Sequence, residues 1–201
     1  MTDGRISRRA ALGTLAAATW SAAFRWTPEE VERAARLART AKQAQAPYQA
    51  KFFTPHEWET VRVLVDIIIP RDDRSGSATD AGVPEFMDFM ISERTEAQVA
   101  MRGGLAWLDA ECWERFGKTF LDASVADRTA MLDDIAWPKK AKPELSHGVT
   151  FFNGFRDLTA SGFWSSRIGI EDLQYQGNTF IDEWKGCSDA ALRKLDVHYE
   201  D

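Results

Sequence analysis

The strongest constraint on the fold is a helix-start signal that occurs twice in the first third of the chain. Thr27-Pro28-Glu29-Glu30 and Thr54-Pro55-His56-Glu57 each combine a threonine, a proline directly after it and a glutamate three residues after the threonine. This arrangement is a capping box, which satisfies backbone N–H groups left unbonded at a helix start, with proline at the first helical position. Each stretch therefore predicts a helix that begins at its proline.

Apolar residues then recur at helical spacing through most of the chain. The second predicted helix carries Trp58, Val61, Val65 and Ile68 on one face before Pro70 stops it. The first runs to about Gln45, and its buried face is mostly alanine. Similar patterns predict further helices at Pro84, Glu96–Phe116, Ser124–Ile135, Ser146–Gly162 and Asp189–Leu195. With no alternating strand pairs and no repeat, the prediction is an all-α fold, a single domain of about six to seven helices.

The spacing becomes irregular after Gly162, where aromatic residues are interspersed with glycines and amides. Such a segment either folds back on the helices or covers a partner protein, because aromatic rings bury large areas in both settings. We expect an irregular, aromatic-rich C-terminal arm and treat it as a candidate partner interface. Its candidate residues are Phe163, Trp164, Ile168, Ile170, Tyr175, Phe180 and Trp184.

The beginning of the chain has the layout of a twin-arginine export signal. Ser7, Arg8 and Arg9 directly precede a short Ala-rich run that ends in small residues at Ala23. The run is too short and too weakly apolar to span a bilayer, and an Ala-rich surface helix with two arginines is the alternative interpretation. We predict a signal segment at 1–23, an Ala-rich helix with a linker at 24–50 and a further helical domain at 51–201. The predicted location is the periplasm.

The charge of the chain argues against nucleic-acid binding. The formal net charge is −6, and removing residues 1–23 takes away three arginines and one aspartate, which leaves 22 basic and 30 acidic residues, or −8. Binding to phosphate backbones depends on clustered Lys and Arg. We therefore expect no nucleic-acid partner.

No catalytic, cofactor or metal motif is visible in the sequence. His56, His147 and His198 lack metal-ligand spacing, and neither the serine-hydrolase elbow nor the dinucleotide-binding glycine motif occurs. Cys112 and Cys187 form no metal or haem-attachment motif, and both a disulfide and free thiols remain open. Because the twin-arginine route carries proteins that are already folded, usually around a cofactor, we expect the cofactor to belong to a partner.

Two blocks of sequence resemble the gluconate 2-dehydrogenase subunit 3 family. The front block runs from Phe53-Thr54-Pro55-His56-Glu57 through Ile69-Pro70-Arg71-Asp72-Asp73 to Ala81-Gly82-Val83-Pro84-Glu85-Phe86-Met87-Asp88. The back block includes Gly162-Phe163-Trp164-Ser165-Ser166, Ile168-Gly169-Ile170, Asp172-Leu173-Gln174-Tyr175 and Glu183-Trp184-Lys185-Gly186-Cys187. Together they extend over roughly residues 52–197.

The resemblance implies a non-catalytic small subunit that binds no cofactor itself. Its partner would be a large FAD-dependent sugar or polyol dehydrogenase of the glucose–methanol–choline type, often accompanied by a cytochrome c subunit with haem. The small subunit would stabilise the flavoprotein and carry its export signal, and it would meet the membrane only through the complex or an uncleaved signal. Two alternatives remain: an enzyme in its own right, and a stand-alone periplasmic carbohydrate-binding module that uses Trp107, Trp113, Trp164 and Trp184 as stacking platforms.

Overall fold

The computed structural model describes residues 26–44, 47–175, 180, 182–183 and 186–199, and these residues form helices and loops without any strand. Seven of the eight α-helices in these described ranges correspond to those predicted from the sequence, and the all-α prediction is confirmed. A short 3₁₀ turn at Pro143–Leu145 precedes the sixth helix. The helices are α1 Pro28–Gln43, α2 Pro55–Ile68, α3 Val83–Ser92, α4 Thr95–Phe116, α5 Val125–Ala136, α6 Ser146–Trp164, α7 Arg167–Asp172 and α8 Asp189–Leu195.

Both capping boxes form as predicted. The Thr27 hydroxyl accepts the Glu30 N–H, and the Glu30 carboxylate accepts the Thr27 N–H at 2.8 Å. Thr54 and Glu57 make the same reciprocal pair at the start of α2. These bonds lie within four residues of sequence, so the local pattern is sufficient to specify where α1 and α2 begin.

Two central helices, α3 and α6, organise the core. Helix α3 packs against α1, α2, α4 and α6, while α6 contacts every helix from α1 to α5 and also α7. Almost the whole circumference of α3 is buried as a result. The largest fully buried side chains of the core are Trp107, Phe86, Phe120, Phe151, Phe155 and Phe163.

A buried carboxylate on α3 fixes the segment that leads into α2. Asp88 is fully buried and accepts the Tyr48 hydroxyl at 2.7 Å and the backbone N–H groups of Lys51, Phe52 and Phe53 at 2.8–3.3 Å. Four donors therefore compensate for the loss of its hydration. This cluster orients the start of α2 relative to the core.

Helix α1 docks on α3 through a face of small residues. Ala34, Ala35 and Ala38 are its buried residues. Close to its first turn, Arg94 makes two 2.6 Å contacts with the Glu30 carboxylate, and its guanidinium lies 4.7 Å from the centre of the Trp26 ring. Small side chains allow close approach, and the charged contacts add to a modest apolar contribution.

The C-terminal region is more regular than the sequence indicates. Helix α6 continues past Gly162 to Trp164, and α7 follows almost immediately, so the irregular arm does not begin at Gly162 as expected. The short α8 has no buried residue. None of the helices among the described residues is both long and apolar enough to cross a membrane.

Candidate docking surface

The corner between α6 and α7 carries a group of exposed apolar side chains, which we call the docking surface: Trp164, Ile170, Leu173 and Tyr175. Their exposed fractions are 38%, 39%, 55% and 63%. Single exposed apolar residues are ordinary on folded domains, whereas an exposed apolar group within twelve residues of sequence is a candidate interaction site.

The corner is formed by a tight turn with a side-chain cap. The Ser166 hydroxyl donates to the Phe163 carbonyl at 2.7 Å and accepts the Gly169 N–H at 3.0 Å, which starts α7. Gly169 is needed for the close approach of the two helices, because an added Cβ would lie 2.1 Å from the Phe163 carbonyl oxygen. Helix α7 consequently folds back against the end of α6, and Ile170 stays exposed.

The seven interface residues that were proposed from the sequence differ in how exposed they are in the structure. Phe163 is only 1% exposed and belongs to the core, so its assignment to an exposed interface was wrong. Ile168 is half-buried against the core, whereas Phe180 is 88% exposed. Trp184 lies outside the described residues, as do Ser7, Arg8 and Arg9 of the targeting segment.

One member of the docking surface, Leu173, was missed from the sequence. It lies three residues after Ile170 and so on the same side of a helix, a spacing that could have identified it once α7 was recognised. Helix α7 was overlooked because its six residues are too few to display a full hydrophobic period.

The described tryptophans that were proposed as sugar-stacking platforms differ in their exposure to solvent. Trp107 is 1% exposed and lies in the core, which makes it unavailable to a ligand. Trp164 is partly covered by Phe163, whose ring packs edge-on with its centre 4.9 Å away. Trp113 on α4 is 63% exposed.

The most prominent polar pair outside the docking surface joins α2 to α4. His56 Nε2 lies 2.6 Å from one Asp109 carboxylate oxygen, and the other oxygen accepts the Phe120 N–H at 2.9 Å. A cavity of about 200 Å³ beside this pair is lined by Thr54, His56, Glu57, Thr60, Leu105, Ala106 and Asp109. The Thr60 hydroxyl is already bonded to the His56 carbonyl. The pair links two helices and a loop, which is a structural role.

The titratable side chains of the described residues also include two cysteines. Nowhere in the described ranges do three or more His, Cys, Asp or Glu side chains converge to hold a metal ion. Both cysteines are free: Cys112 is buried and Cys187 is exposed. Burial, together with the charge of Asp109, raises the pKa of the Cys112 thiol to about 11, which makes it a poor nucleophile at neutral pH.

A family model described as gluconate 2-dehydrogenase subunit 3 matches residues 55–183 of this chain. The chain belongs to the gluconate 2-dehydrogenase subunit 3 family. Searches of curated proteins and of solved structures returned no match. The family name describes one subunit of a multi-subunit dehydrogenase complex.

The matched region of this subunit 3 family member includes the whole docking surface. Trp164, Ile170, Leu173 and Tyr175 all lie within residues 55–183, whereas α1 and α8 lie outside them.

Proposed function

We propose that this chain is the non-catalytic small subunit of a periplasmic FAD-dependent dehydrogenase complex that oxidises CH–OH groups of sugars or polyols. It binds the large flavoprotein of the glucose–methanol–choline type, stabilises it and carries the twin-arginine signal that exports both subunits. FAD belongs to the large subunit and haem c to a third, cytochrome subunit, while this chain binds neither.

The observation that supports binding to a partner is the group of exposed apolar side chains at the corner between α6 and α7. Trp164, Ile170, Leu173 and Tyr175 expose apolar area on a chain whose formal net charge is −6. Burying such area against another protein is favourable by roughly 25 cal/mol per Å². Aromatic anchors at the centre of an interface contribute most of the binding energy. In a family of complex subunits, this surface is the natural contact for another subunit.

The proposal can be tested with a tagged chain co-expressed with a large FAD-dependent dehydrogenase of the glucose–methanol–choline type. Ile170→Asp and Leu173→Asp place a charge in the proposed interface, and Val125→Asp is the matched control, since Val125 is 73% exposed on α5. We expect the two docking-surface variants to lose about 30- to 1,000-fold in affinity, the range for a hot-spot loss of ~2–4 kcal/mol. The control should copurify normally.

The helical circular dichroism of all three variants should equal that of the original chain, because each substituted side chain is exposed. Copurification of both docking-surface variants at unchanged amounts would place the interface elsewhere. Sugar binding by the isolated chain, measured by calorimetry, would instead favour a carbohydrate-binding module, and turnover by the isolated chain would favour an enzyme.

A further inference from the structure

Helix α7 is held at both ends by arginines from distant parts of the chain. Two residues before its start, the Arg39 guanidinium of α1 donates to the carbonyl of Ser165, which caps the end of α6, at 3.3 Å. At its end, the Arg74 guanidinium donates to the Asp172 carbonyl at 2.9 Å and lies 3.5 Å from the Asp172 carboxylate. Helix α7 has six residues, of which only Gly169 is buried. Such a short helix is not stable alone, so these contacts help to determine its position.

Arg39 differs from the other arginines of α1. Arg33 pairs with Glu93 and Arg36 pairs with Glu32 of its own helix, and both arginines are exposed. Arg39 is half-buried and reaches the last turn of α6, where free carbonyl groups and the helix dipole favour a positive charge. The contact therefore joins α1 directly to the corner that presents Trp164 and Ile170.

Helix α1 is attached by small buried side chains, by Val31 packed against the core and by several charged contacts. Its buried face consists of three alanines, and its charged contacts with α3 and α4 are partly exposed to water. Exposed ion pairs of this type contribute little each. An element held by several separate contacts can change its docked population when one of those contacts is lost.

We infer that Arg39 is a positioning residue that couples the docking of α1 to the order of the docking surface. When α1 leaves α3, the Ser165 carbonyl loses its charged donor and α7 loses one of its two anchors. Because coupling between two sites is reciprocal, a large subunit bound at α7 stabilises docked α1. The effect of the large subunit on α1 rests on the proposed function. The link between α1 and α7 does not, because both helices belong to this chain.

The link within the chain is tested by hydrogen exchange with mass spectrometry on the isolated full-length protein. Arg39→Met keeps the length of the side chain but removes its donors, Arg36→Met is the matched control on the same helix, and Arg39→Lys restores one charged donor. In Arg39→Met we expect peptide 164–175 to exchange about five- to tenfold faster, the scale of the net contribution of one ordinary hydrogen bond. Arg36→Met should leave that peptide unchanged, and Arg39→Lys should recover part of its protection. Unchanged exchange in Arg39→Met, or an equal increase in Arg36→Met, would overturn the inference.

The partner's effect is measured on the complex purified through the tagged chain. Binding of the large dehydrogenase subunit should slow exchange in peptide 28–43 of the original chain, and this slowing should be smaller in Arg39→Met. A complex that forms through the docking surface without protecting α1 overturns the coupling but leaves the docking proposal intact. If no complex forms, the docking proposal fails, and the isolated-chain experiment still decides the link between α1 and α7.

Discussion

Trp107 of α4 occupies the space that Gly148 of α6 leaves empty. A Cβ atom added at position 148 would lie 2.0 Å from Cη2 of the indole ring. The relationship is reciprocal, since a Cβ at Gly104 of α4 would lie 1.8 Å from Cδ2 of Phe151 on α6. Each helix thus provides one glycine and one buried ring, and the two helices approach closely enough for the rings to interdigitate.

Gly148→Ala should destabilise the domain by about 1–3 kcal/mol, the usual cost of overpacking a core. The ring of Trp107 is 1% exposed and has nowhere to move, so the better helix propensity of alanine will not offset the clash. Urea unfolding followed by circular dichroism measures the change. Gly117→Ala is the control: it has open space around it and a φ of 69°, so it carries only about 1–2 kcal/mol of backbone strain. If Gly148→Ala unfolds at the same urea concentration as the original protein or at a higher one, the close packing of Trp107 against Gly148 is not required for stability.

Asp88→Ala should be among the most destabilising single substitutions outside the apolar core. It leaves three backbone N–H groups and the Tyr48 hydroxyl without their acceptor. Burying unsatisfied donors should cost at least about 3 kcal/mol in total. Asp133→Ala, an exposed change on α5, should alter the free energy of unfolding by less than about 0.5 kcal/mol. Equal urea midpoints for the two variants would show that water replaces the Asp88 carboxylate.

Glu85 should make stability fall as the pH rises. Burial raises the pKa of its carboxyl above the usual value of 4.5, and this effect exceeds the opposing influence of Lys42 and Arg62. A raised pKa means that the folded state binds the proton more tightly, so stability is greatest below pH 4.5 for this group and declines between 4.5 and the folded pKa. Glu85→Gln should therefore raise the free energy of unfolding more at pH 7.5 than at pH 4. An equal effect at both pH values would exclude titration as the cause.

Arg8→Lys combined with Arg9→Lys should retain the dehydrogenase in the cytoplasm if this chain carries the export signal. Lysine keeps the charge but lacks the planar guanidinium that specific arginine recognition requires. Cell fractionation with an assay of dye-linked sugar oxidation measures where the activity accumulates. Copurification of the two subunits should be unchanged, which separates export from docking. Periplasmic activity at the original level would mean that the large subunit has its own export route.

Local signals in the sequence determined most of the helices. Thr54 and Glu57 bond to each other's backbone within one turn, and Gly117 ends α4 with a left-handed φ of 69°. Such interactions connect residues only a few positions apart, so the order of residue types is enough to predict them. The three-to-four spacing of Val61 and Val65 similarly predicted their burial on one face of α2.

Only the tertiary structure decided which aromatic residues form the core and which form the docking surface. Phe163 and Trp164 are neighbours in sequence, yet Phe163 is 1% exposed and Trp164 38% exposed, because α3 packs against one side of α6 and α7 leaves the other side partly open. The burial of Asp88 likewise depends on Tyr48, which comes from forty positions away. Composition and spacing describe a residue's own helix, whereas burial depends on which distant segment packs against that helix.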